Sequence, residues 1–98
     1  MNNTLNTLGL CKKAGKLIAG FDTVAANGGK ISGVIIARDL SEKSKKEIAY
    51  HCGKHGKPLH EINETMSQIG GVLGKRTGII AILDDGLYNA LIKSTGDP

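Results

Sequence analysis

Two short runs, GVIIA at 33–37 and GIIAIL at 78–83, do most to limit what this chain can become. Each is an unbroken apolar stretch, mostly β-branched, entered through a glycine. A strand with one wet face alternates apolar and polar residues, whereas a run with no polar position must be covered on both faces. Both runs therefore predict central strands of a sheet with helices above and below it. KLIA (16–19) and PLHEI (58–62) are shorter strand candidates, the second opened by Pro58 where a proline is tolerated.

Helical spacing fills the intervals. Residues 4–14 place Leu5, Leu8 and Cys11 on one face, and Gly15 stops the helix. The segment 20–30 has room for two or three turns before Asn27-Gly28-Gly29 ends it. Residues 41–54 open with Ser41 as N-cap and Glu42 in the first turn, with Ile48 and Cys52 as the apolar stripe. Residues 64–73 align Met66, Ile69 and Leu73 behind Asn63 as the expected cap. Residues 85–93 do the same with Leu87 and Leu91 behind Asp84 or Asp85. Alternation of helix and strand through the chain implies an α/β layer structure. The 98 residues suit one domain spanning 1–98, with a polar STGDP tail expected to fray. A chain of this size buries about 60–65 % of its unfolded surface, enough for one core.

Charge is unevenly spread. Residues 1–57 carry ten Lys or Arg against four Asp or Glu, for +6, and residues 58–98 carry three against five, for −2. Such an imbalance suits either a solvated surface or a polyanionic partner, of which nucleic acid is the commonest. Two cysteines without a CxxC argue against a disulfide framework. No signal-like segment and no run of 18 apolar residues is present, so a cytoplasmic, reduced protein with no membrane contact is expected.

Catalytic and metal chemistry find little support. GGVLGKR (70–76) has the wrong glycine spacing for a phosphate loop, puts Arg76 where a hydroxyl is needed, and lies between a helix and a strand. His51, Cys52 and His55 read H-C-x-x-H, a spacing able to hold zinc if His60 or Cys11 completed the set. Lys54 and Lys57 beside them repel a cation, so a polar helix end with a buried cysteine is the simpler reading. Cys11 adjoins Lys12 and Lys13, which would lower a thiol pKa, but no sequence feature supplies a base. A cap explains Asp84-Asp85. No enzyme, metal or cofactor is expected. What remains is a basic loop-and-helix set: Lys12, Lys13, Lys16, the Gly20-Phe21-Asp22 turn, Lys30 and Lys75-Arg76. Only Phe21, Tyr50 and Tyr88 are aromatic, so backbone and shape readout suits this surface better than a single-strand stacking platform.

LGLCKKAGKLIAG (8–20), GVIIARDLSEKSKKEI (33–48), and IGGVLGK leading into GIIAILDDGL (69–87) resemble the bacterial branch of the ribosomal L7Ae/L30e family. The similarity covers residues 4–93. It implies a three-layer α-β-α sandwich around a mixed four-stranded sheet. It also implies non-catalytic binding of structured RNA, often kink-turns, within ribosomes and other ribonucleoproteins. Family kink-turn binders carry Gly-x-Asn-Glu-x-x-Lys at the second helix start; here Gly20 matches, and Asp22, Thr23 and Ala26 replace Asn, Glu and Lys. By resemblance Gly20, Phe21, Asp22 and Thr23 form the approaching loop. Gly74-Lys75-Arg76-Thr77-Gly78 is the second contact loop, touching RNA more through phosphates than through apolar contact.

The expected partner is therefore structured RNA, ribosomal RNA above all. Lys16, Lys30, Lys75 and Arg76 neutralise phosphates, and Lys12 and Lys13 extend the patch. With about four phosphates neutralised, log affinity falls against log salt with a slope of about −3.6. The lysines at 43, 45 and 46 are read as a solvated helix face. The alternative is a protein-interaction module on the same fold, anchored by Phe21, without direct RNA contact.

Overall fold

The computed structural model describes residues 3–95. Its elements are α1 (Thr4–Lys13), β1 (Leu17–Ala19), α2 (Phe21–Ala26), β2 (Gly33–Ile36), α3 (Glu42–His55), β3 (Leu59–Glu61), α4 (Met66–Leu73), β4 (Ile79–Ile82) and α5 (Asp85–Thr95). The strands form one mixed sheet in the order β1-β4-β2-β3. β4 pairs antiparallel with both β1 and β2, and β2 pairs parallel with β3.

The unbroken apolar runs are explained by two cores, one on each face of the sheet. Alternate residues serve opposite sides. Ile35, Ile80 and Ile82 pack with Leu8, Cys11, Ile69, Leu73, Tyr88 and Leu91 from α1, α4 and α5. Val34, Ile36, Ile79 and Ala81 pack with Val24 of α2 and with Ile48 and Cys52 of α3. The result is the three-layer α-β-α sandwich that the resemblance implied.

Helix starts follow capping chemistry, with one correction. Ser41 Oγ accepts the Ser44 N–H at 3.2 Å, as expected, and Asp84 rather than Asp85 caps α5, its Oδ2 accepting the Leu87 N–H at 2.9 Å. Asn63 does not cap α4. Thr65 does, and Gln68 returns the bond to the Thr65 N–H, a reciprocal pair that Asn63 has no partner to make. Of the tail, Ser94 and Thr95 complete α5, and 96–98 lie outside the described residues.

Candidate functional site

β1, β2 and β3 run one way and β4 the other, so three strand ends and the start of β4 gather at one end of the sheet. The helices α2, α3 and α4 all begin there. Backbone bonds lace the connections together. Gly20 N–H donates to the Ile79 carbonyl at 2.9 Å, Ala37 N–H to Gly78 at 3.0 Å, and Arg38 N–H to Glu64 at 3.1 Å. The Gly20–Thr23 turn and the Gly74–Gly78 loop, remote in sequence, are thus neighbours.

The three helix starts differ in how their first N–H groups are treated. Those of α3 and α4 are capped by Ser41 and Thr65, and Asp39 Oδ1 also accepts the Met66 N–H at 2.9 Å. α2 receives no side-chain cap, because its N-cap is Gly20. That residue has φ 96° and ψ 143°, a conformation only glycine takes without strain. First-turn N–H groups lack intrahelical acceptors, and here a short turn leaves them uncovered by a cap. Asp22 and Thr23 stand exposed on this turn, while Phe21 is half-buried with its ring edge-on to His51, centroids 5.2 Å apart. Much of Phe21 is therefore committed to packing.

The predicted cations do not form one patch. Lys75 and Arg76 are exposed, and among the described residues neither makes an ion pair. Their loop folds back along α4 where Gly70 leaves room: a Cβ there would stand 3.0 Å from the Arg76 Cα. Thr77 is buried, and its hydroxyl donates to the Ile79 carbonyl at 3.3 Å. Lys12 is engaged internally, its Nζ donating to the Leu73 carbonyl at 2.7 Å and so closing the C-terminus of α4. Lys13 is exposed beside Leu10. Lys16 and Lys30 sit at the opposite end of the sheet, where the Lys16 carbonyl accepts from Leu83 and Ser32 N–H donates to Ile82. Sequence reasoning missed Arg38, an exposed cation directly after β2 at the same end as Gly20 and Gly78. Its place right behind the GVIIA strand was the available signal.

Residues 2–92 match the family described as Ribosomal protein L7Ae/L30e/S12e/Gadd45. The chain belongs to this family. It is 31% identical over 84 residues to RNA-binding protein YlxQ of Enterococcus faecium, spanning 84% of this chain and 81% of that one. In structure it resembles a Bacillus halodurans protein of unknown function, with TM-score 0.89 and 24% identity over 99% of this chain and 100% of the other. It also resembles the Giardia lamblia 15.5kD RNA binding protein, with TM-score 0.72 and 21% identity over 94% and 81% of the two chains.

On this L7Ae/L30e fold both cysteines are buried. Burial raises the Cys11 thiol pKa and nearby Asp84 adds to the effect, so Lys12 and Lys13 do not activate it. Burial likewise raises the Cys52 thiol. His51 and His55 do not join Cys52 in a metal site: among the described residues no group of three or more His, Cys, Asp or Glu is placed to hold an ion. The His55 ring instead fills the space over Gly28. Of the lysines read as a solvated face, Lys45 departs. Its ammonium bonds Glu61 at 3.1 Å and the Arg38 carbonyl at 3.1 Å, pinning the β2–α3 connection. Lys43 and Lys46 are exposed.

Proposed function

We propose that this protein binds structured RNA without catalysis, using the uncapped Gly20–Thr23 turn and the adjoining Gly74–Gly78 loop. Ribosomal RNA with a kink-turn-like bend is the proposed target. The observation that carries the reading is the Gly20–Ile79 hydrogen bond, which ties an open helix start to the strand that the Gly74–Gly78 loop enters. Membership of the L7Ae/L30e family and a relative named for RNA binding support it. A side chain cannot read the deep major groove of A-form RNA, so charge positions the protein and RNA shape supplies specificity.

Titration against a kink-turn RNA and a straight duplex of equal length, at two salt concentrations, tests this. A kink-turn preference that persists at high salt is the expected result. If Arg38, Lys75 and Arg76, all exposed, are the cations that meet phosphates, the duplex slope should be about −2.7, shallower than with four phosphates. Equal, salt-sensitive binding would leave only a general basic surface. No binding at low salt would overturn the reading and favour a protein partner.

Asp22 is the discordant residue, an exposed carboxylate in the first turn of α2. Asp22→Asn removes a charge that repels phosphate and adds an amide donor. The expected gain is about 5-fold in kink-turn affinity, or roughly 1 kcal/mol, read in the same titration.

A further inference from the structure

The outer face of α3 carries an aromatic and basic strip that the proposed interface does not use. Positions 43, 46, 47, 50 and 54 share one side of this helix, placing Lys43, Lys46, Tyr50 and Lys54 around Glu47. All five are exposed, and among the described residues none forms an ion pair. Tyr50 is 68% exposed, although large apolar rings are normally hidden. The strip also touches the helix start described above. His51 lies edge-on to both Phe21 and Tyr50, with centroids 5.2 Å and 6.0 Å away. Phe21, Lys46, Glu47, Tyr50 and His51 line one open groove.

We propose that this groove receives unpaired nucleotides flanking the structured RNA, with a base stacked on Tyr50 and its phosphates met by Lys46 and Lys54. The inference rests on the RNA-binding reading and extends it, because Phe21 belongs both to the α2 turn and to the groove. A single-stranded flank leaving a bent RNA at that turn would run directly onto α3. Three lysines against one glutamate give the face the sign an RNA strand requires, and an exposed ring accepts any base. In the sequence, three scattered aromatics are too sparse to suggest stacking. The fold brings two of them to one place.

The test uses a kink-turn RNA with blunt ends and the same RNA with a five-nucleotide single-stranded flank containing 2-aminopurine. Wild-type protein should bind the flanked RNA more tightly by about 5-fold or more, and quench the 2-aminopurine on binding. Tyr50→Ala should abolish both effects while leaving blunt-RNA affinity and the melting temperature unchanged. Tyr50→Phe should retain them. If blunt RNA binds but the flank adds nothing, the groove proposal fails alone. It fails equally if Tyr50→Ala binds both RNAs like wild type, which would reserve the face for a protein. If neither RNA binds, the RNA-binding reading fails and takes this one with it.

Discussion

Charge reversal at Lys75 and Arg76 should lower RNA affinity by about 100-fold at roughly 0.1 M salt. Each lost phosphate contact forfeits its released counterions, worth about eightfold at that salt, and two together give about 60-fold. Replacing cations with carboxylates adds repulsion to the loss. The diagnostic is the salt dependence: the slope should become shallower by about 1.8, because two of three neutralised phosphates are gone. Both side chains are exposed and unpaired among the described residues, so the melting temperature of Lys75→Glu/Arg76→Glu should stay close to wild type. Fluorescence-anisotropy titration of the kink-turn RNA at several salt concentrations measures both quantities. An unchanged affinity in a folded double variant would remove the Gly74–Gly78 loop from the interface.

The largest expected effect on stability lies far from that loop. Gly33 begins β2 and is buried, and the Tyr88 ring of α5 occupies the space that a side chain there would need. A Cβ at 33 would overlap several ring atoms at once, Cε2 at 2.7 Å among them. The ring cannot retreat without opening the core it shares with Ile35, Ile82 and Leu91. Gly33→Ala should therefore cost about 3 kcal/mol, at the upper end of the usual overpacking range. Chemical denaturation of the variant checks the loss. The pairing is confirmed by Gly33→Ala/Tyr88→Leu, which should be more stable than the sum of the single changes predicts.

Local chemistry made much of this molecule legible. The two glycine-entered runs announced buried strands because each residue type in them is apolar, and Ser41 announced a helix start because it stands directly before one. Between Asn63 and Thr65, both good caps, the choice turned on Gln68 three residues after Thr65, a reciprocity visible in the sequence as T-x-x-Q. The candidate interface was harder to read. Lys16 and Gly20 are four residues apart yet belong to opposite ends of the sheet, a separation implicit in the KLIA strand candidate but lost when both are grouped into one basic set by charge alone. Lys12 was indistinguishable from Lys13 in sequence. Its partner is a carbonyl 61 residues away, within reach of a long flexible side chain only once α1 and α4 are packed together. The Phe21, His51 and Tyr50 cluster has the same character, joining two helices across a strand and two loops.

The order of the strands has a consequence for how the chain acquires its shape. β4, the last of the four strands to be synthesised, lies between β1 and β2. Before residues 79–82 exist, β1 has no strand to pair with and β2 has only β3. An emerging chain thus carries bare strand edges until β4 arrives, a state prone to mispairing. Closing the sheet requires threading a late segment into a waiting central gap, and such distant pairings form slowly. Assembly of the full sheet is consequently a late event, and a fragment ending before β4 has only the β2–β3 pair to fold around.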